Sequence, residues 1–212
     1  SFAFSQESIN YQTPSSEILE LVEYDRPPSV TYDRDKNFML FLYRDNYKSI
    51  EDLSQKELRL AGLRINPKKN IGSRITYYNN VKIKNLKSKN PEINDIIGIP
   101  NNPLIANINW SPNQKNIAFT NTSSDGVRLW VLNLESRSLT KLSDLKLNSN
   151  IGDVINWVND NEIIVKVIPE NKQNLIDQDG IVPMGPTISS NEGENAQNRT
   201  YQDLLKNKTD EF

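Results

Sequence analysis

The 212-residue sequence contains neither cysteine nor histidine. Without cysteine there is no disulfide, no thiolate nucleophile and no Cys/His zinc site. Without histidine the chain cannot supply the general base of a Ser-His-Asp triad. Carboxylate catalysis and oxygen-ligated metals stay formally open, but no EF-hand spacing, P-loop or GxGxxG supports them. No cofactor is expected. No apolar run approaches the ~20 residues of a membrane span. The formal net charge of -2 leaves no electrostatic footprint for nucleic acid or a membrane surface, so neither is expected as a partner. Hydrophobic residues make up only 36% and mean hydropathy is -0.64. Such a chain, rich in Asn, suits a turn-rich β protein better than a helical bundle.

What is present is clearest in "NINWSPNQKNIAFTNTSSDGVRLWVLNLESRSLTKLS" (107–143). Leu104, Ala106, Ile108 and Trp110 alternate with Ile105, Asn107 and Asn109, the period of a strand. "SPNQK" (111–115) is turn chemistry, with Pro112 fixing φ and Asn113 tolerant of left-handed geometry. A second strand is predicted over 116–122. "SSDG" (123–126) then signals a hairpin, Asp-Gly supplying the positive φ of a primed turn. A third strand follows over 127–132 and a short fourth near 139–142. Four short strands in about 40 residues match one propeller blade.

The pattern recurs. "VINWVNDNEIIVKVIP" (154–169) repeats the Trp, an Asn-Asp turn and a β-branched run. "SVTYDRDKNFMLFLYRD" (29–45) is a weaker copy, with Tyr32 in the Trp place and "DRDK" as its turn. Trp157 follows Trp110 by 157 − 110 = 47 residues, whereas Trp110 follows Tyr32 by 110 − 32 = 78. At ~45 residues per blade, the first unit carries an insertion, expected over about 44–79, before resuming at "VKIKNL" and "PEINDIIGI". Lys alternates with apolar residues in "VKIKNLKSK" (81–89), as in a half-exposed strand.

Within the insertion, Ser49 and Asp52 form a capping-box signature for a short helix. "ELRLAGLRINP" (57–67) alternates apolar and charged residues until Pro67. An earlier helix is predicted from Thr13 as N-cap and Pro14 at its first position, with Ile18, Leu19 and Val22 on its apolar face. Residues 170–199 read as a long mobile loop. Thr200 and Asp203 cap a final short helix. Ala3 and Ser5 match the -3/-1 pattern of a signal-peptidase site with Gln6 as the first mature residue, so residues 1–5 suggest a periplasmic or secreted protein.

These units predict an all-β chain: a partial β-propeller of four-stranded antiparallel blades with short helical insertions. Residues 1–26 form an N-terminal segment with a short helix, and 27–212 the first two to three blades. Propellers close with about four to eight blades, and two and a half would expose strand edges. The expectation is therefore the N-terminal piece of a longer protein.

"YQTPSSEILELV", "RPPSVTYDRDKNFMLFL", "ELRLAGLRINPKKN", "WSPNQKNIAFTNT", "GVRLWVLNL", "VIPEN" and "RTYQDLLKNKTDE", in this order, resemble proteins of the prolyl oligopeptidase family, most of all its glutamyl-endopeptidase-like branch. The likeness covers about residues 11–211. "LRLAGLRINP" and "TYQDLLKN" are its more specific parts; the Trp-Ser-Pro motif is shared by many propellers. The resemblance implies an N-terminal β-propeller partnered by a C-terminal α/β-hydrolase domain of the same protein. That domain would carry the Gly-x-Ser-x-Gly elbow and the triad Asp and His, acting on peptide substrates. This sequence has no Gly-x-Ser-x-Gly and no His, so no catalytic residue carries over.

Cleavage after Glu requires a cation in the specificity pocket, and an Arg fork matches a carboxylate best. Arg59, Arg64 and Arg199 are the arginines in the branch-specific motifs and the candidate substrate-binding residues; solvated or strand-edge arginines are the plainer reading of each. Trp110, Trp130 and Trp157 fall at repeat positions and read as core. The sequons at Asn121, Asn198 and Asn207 match N-x-[ST], but no glycan is expected in a bacterial protein. Two functions fit this pattern: the propeller of a secreted serine peptidase, covering the active site and filtering substrates, or a non-catalytic propeller binding proteins or glycans.

Overall fold

The structure is a computed structural model that describes residues 13–60, 62–172 and Gly193. The expectations for residues 1–5, for the helix at Thr200 and for nearly all of the 170–199 loop fall outside these residues. The described part is all-β, with two short helices.

Sheet 1 has the order β1 (Ser29–Tyr32), β2 (Phe38–Tyr43), β6 (Asn80–Asn85), β7 (Ile93–Asp95), antiparallel throughout. Sheet 2 is an uninterrupted antiparallel meander of β8 (Ile105–Trp110), β9 (Asn116–Ser123), β10 (Gly126–Asn133) and β11 (Ser138–Lys141). Sheet 3 pairs β12 (Ile155–Trp157) with β13 (Ile163–Val165). The connection from β2 to β6 carries α2 (Ile50–Ser54) and a small sheet of β3 (Leu58–Leu60), β4 (Leu63–Asn66) and β5 (Ile71–Gly72).

The strand period explains the stacking. In β6, Val81 and Ile83 are buried while Lys82 and Lys84 face outward, and Lys82 Nζ reaches Asp95 Oδ1 at 3.0 Å. In sheet 2 both faces are apolar. Ile117, Phe119 and Leu132 pack with Leu40, Leu42, Val81 and Ile83 of sheet 1. Ala118, Val127 and Leu129 pack on the opposite side with Val154 and Ile155, joined by Trp157, Ile163 and Val165 of sheet 3. Sheet 2 thus lies between the other two, and alternate residues of one strand serve different cores. Trp110 and Trp130 pack against the first core and Trp157 against the second, so all three tryptophans are partly buried packing residues.

The turns repeat as well. Asp33 accepts the Phe38 N–H on Oδ1 at 2.6 Å, and the Asp33 N–H bonds the Phe38 carbonyl. In sheet 2, Ser111 Oγ accepts the Asn116 N–H at 3.0 Å, and the Ser111 N–H bonds the Asn116 carbonyl. Asp33 and Ser111 are both buried, each closing the first β-turn of its sheet. The left-handed residue is Lys36 (φ 54) in one and Gln114 (φ 60) in the other. The left-handed position expected at Asn113 is therefore one residue later. Asn113 instead uses its side-chain oxygen to accept from Ser111 Oγ and the Lys115 N–H.

Three further expectations are corrected. The strict alternation over 104–110 is broken by a bulge between Ala106 and Asn109, with Asn107 at φ 51. The extra residue flips the faces, so Ile105 before it and Ile108 and Trp110 after it all reach the first core. The 123–126 hairpin is not a primed turn: positive φ falls only on Gly126 (φ 141). The first helix, α1 (Ser16–Val22), starts after Ser15 rather than Thr13. The Ser15 carbonyl accepts the Ile18 and Leu19 N–H groups, and Ile18 and Val22 are exposed. The Ser49 cap behaves as its sequence predicts, accepting the Asp52 N–H at 3.0 Å.

Asp125, in the β9–β10 turn, fastens that hairpin. Ser123 Oγ donates to it at 2.6 Å and Arg128 Nη2 at 2.9 Å. The Ser123 hydroxyl first, then the Arg128 guanidinium, hold its carboxyl at about 2 against an ordinary 3.8. A depressed acid contributes stability above its unfolded value, and that stability is lost as pH falls through the folded one. Asp125 is more than half exposed, so screening leaves about 1 kcal/mol. Asp125→Asn should lower Tm at pH 7 by roughly 2–4 °C. Melting curves across pH 7 to 2 should show the gap to the parent closing as the acid end is approached; a constant gap would contradict this account.

Candidate functional site

The inserted segment and the adjoining end of sheet 1 enclose a cleft of about 590 Å³. Arg26, Arg44, Lys48, Arg59, Lys69 and Arg74 line it, against three acids, Asp45, Asp52 and Glu57. Six cations less three anions leave the lining at +3. Its floor includes the buried Ile71 and the largely buried Tyr77, whose phenol burial pushes above its usual range.

Local structure sets the side chains. Lys48 Nζ donates to the Ser73 carbonyl at 2.9 Å and Asn79 Nδ2 to Asp45 Oδ1 at 2.7 Å. Asn46 Nδ2 donates to the Tyr24 carbonyl at 2.6 Å, tying the segment after α1 to the rim. Asn66 Nδ2 donates to Gln55 Oε1 at 2.6 Å, bracing β4 against the end of α2. The buried Nε of Arg44 has no hydrogen-bond partner.

At one wall stands a cluster centred on Glu57. Arg59 and Arg64 are directly opposite in the β3–β4 pair. Like charges across a strand pair repel, and the Glu57 carboxylate stands between them. Its Oε1 lies 3.0 Å from Arg59 Nε and 3.6 Å from Arg64 Nε, and its Oε2 lies 3.8 Å from Arg74 Nε. Ser73 Oγ donates to Oε2. The Ser73 hydroxyl first, with help from Arg59 and Arg74 and against burial, holds the Glu57 carboxyl below its usual range. Glu57 is therefore an anion at neutral pH.

The structure brings two of the three candidate arginines together. Arg59 lines the cleft and is mostly exposed, while Arg64 is largely covered beside Glu57. Arg199 lies outside the described residues. Sequence reasoning missed Glu57, Arg74 and Arg44. Period two could have paired Glu57 with Arg59 on one strand face; nothing local signalled that Arg74 or Arg44 would meet them. Asn121, a sequon residue, uses its side-chain oxygen to accept the Leu104 N–H at 2.8 Å. Among the described residues no helix is long and apolar enough to cross a membrane.

No family model matches the chain. Two curated relatives match nearly all of it. One, from Oryza sativa subsp. japonica and named "Probable glutamyl endopeptidase, chloroplastic", is 33% identical over 97% of the chain. The other, from Arabidopsis thaliana with the same name, is 32% identical over 94%. This likeness supports a peptidase-related family. The chain spans 23% and 22% of the length of these relatives.

Proposed function

We propose that this chain is the N-terminal propeller portion of a serine peptidase of the prolyl oligopeptidase family, one that cleaves after Glu. The observation that carries this reading is the face-to-face succession of antiparallel sheets with repeated turns, in a chain alignable almost throughout with relatives named as glutamyl endopeptidases. Sheets 1 and 2 are read as whole blades and sheet 3 as the start of a third; the 44–79 connection is the first blade's insertion. In this reading the propeller covers the active site of a C-terminal α/β-hydrolase domain of the same protein and filters peptide substrates by size. At least one of the candidate substrate-binding arginines, Arg59, Arg64 and Arg199, helps to hold a substrate carboxylate. The Ala3 and Ser5 pattern supports export to the periplasm or beyond.

The purified 212-residue chain should not hydrolyse peptides or esters, because it has no histidine to act as the triad base. The complete gene product should hydrolyse Glu-containing peptides and lose that activity to a serine-directed covalent inhibitor. Turnover by the purified chain alone, or a complete product that is inert and lacks a downstream Gly-x-Ser-x-Gly, would sink the proposal.

A further inference from the structure

The cleft beside the inserted hairpin has one more property. The Glu57 carboxylate is shared by Arg59, Arg64 and Arg74. The cleft lining as a whole carries six cations against three acids. Arg59 and Arg64 are placed opposite one another by strand register, and an anion between them relieves their repulsion. Glu57 supplies it from the start of the same hairpin, just before β3 (Leu58–Leu60). It lies on the wall of an open cleft rather than in the core, with Lys48, Lys69 and Arg44 on the same lining. Asp45 and Asp52 also line the cleft; Asp45 is occupied by Asn79, and Asp52 by the Ser49 cap of α2.

We infer that the cleft is a binding site for acidic peptide side chains, and that Glu57 is a built-in occupant of its carboxylate seat, displaced when a ligand carboxylate binds to Arg59 and Arg74. A tethered side chain is always present at high effective concentration, so it competes with any incoming carboxylate. The seat is thereby kept satisfied when empty, and only a ligand with several acidic groups, drawn by the remaining cations, displaces it. The inference deepens the arginine role proposed above, yet it concerns binding rather than hydrolysis, so an inert protein would leave it standing.

The probe is a fluorescein-labelled hexamer of D-glutamate, which a peptidase does not consume, with the D-glutamine hexamer as control. Binding to the complete protein is read by fluorescence anisotropy at low salt, where exposed charges are least screened. Glu57→Gln keeps the shape and the Ser73 contact while removing the competing charge; it should tighten hexaglutamate binding at least about tenfold, the effect of one charge-assisted hydrogen bond. Adding Arg59→Ala to Glu57→Gln should abolish the gain. Hexaglutamine should gain nothing. Glu57→Asp draws the carboxylate back by one methylene and should tighten binding by a smaller factor; it carries the test if Glu57→Gln does not fold. A folded Glu57→Gln or Glu57→Asp protein that binds hexaglutamate no better than the parent overturns the inference. So does an equal gain for hexaglutamine.

Discussion

Replacing Ile71 by Ala is expected to cost about 2–5 kcal/mol, the range for truncating a fully enclosed Ile, and to lower Tm by roughly 5–20 °C in a chain of this size. Ile71 belongs to β5, inside the connection that interrupts sheet 1, and a connecting loop is ordinarily tolerant of change. Yet its side chain is completely buried. It packs in the second core with Ala118, Val127, Leu129, Leu147, Val154 and Ile155, which come from sheet 2, sheet 3 and the chain between them. The backbone around it is fixed too: Ile71 bridges Ser149, and the Ser149 N–H donates to the Asn70 carbonyl at 2.8 Å. Asn107, at the bulge of β8, donates to Ser149 Oγ at 3.0 Å. The insertion therefore plugs the junction of sheets 2 and 3 rather than hanging from sheet 1. Leu53→Ala, in exposed α2 of the same connection, is the matched control and should stay within about 0.5 kcal/mol. Thermal or urea unfolding of the two variants decides the matter. An Ile71→Ala shift as small as that of Leu53→Ala would mean that the inserted sheet is not integrated with the scaffold.

That coupling was not legible in the sequence, and the reason is physical. Local chemistry writes itself into short windows. The alternation in β6, the Ser49 cap and the antiparallel succession of β8 to β11 could all be read there, since each depends on neighbours within a few residues. The bulge at Asn107 could not. Its left-handed backbone is sustained by Thr120 and Ser149, through side-chain bonds reaching across the fold. Likewise, nothing in "PEINDIIGI" marks Gly98 as a constrained position. In the structure it has φ +89, and a Cβ there would meet the Leu139 carbonyl oxygen at 3.0 Å, where the edges of sheets 1 and 2 touch through Ile97 and Ser138. The candidate site divides the same way. Two of its arginines were legible because they sit in one patterned hairpin. The carboxylate between them lies two residues before Arg59 and gives no local signal, because a Glu at the start of a strand ordinarily faces water. Arg74 and Arg44 are brought in only by the fold.

The same geometry sets the expected result for the arginines themselves. Within the proposed peptidase, Arg59→Ala should reduce the preference for Glu over Gln substrates, as a ratio of kcat/KM values, by about tenfold or more. Gln matches Glu in shape and lacks only the charge, so the ratio isolates the carboxylate contact. A charge-assisted pair contributes about 1.5–3 kcal/mol, or roughly ten- to a hundredfold. Arg59 should sit at the low end, because its side chain is 63% exposed and water screens it. Arg64 is 18% exposed and stands beside Glu57 rather than on the cleft lining, so it acts as a positioning residue. Arg64→Ala should shift selectivity less and thermal stability more, since it unbalances the Glu57 cluster. Arg64→Lys keeps the charge without the fork and should restore stability in part. Arg199→Ala completes the set, as the third arginine of the branch-specific motifs. The loss should appear in KM where the contact forms equally in the bound and transition states, and in kcat where it tightens at the transition state. If all three alanine variants keep the parent ratio, these arginines serve the scaffold, and the cation that reads Glu is another one, on this cleft or in the rest of the protein.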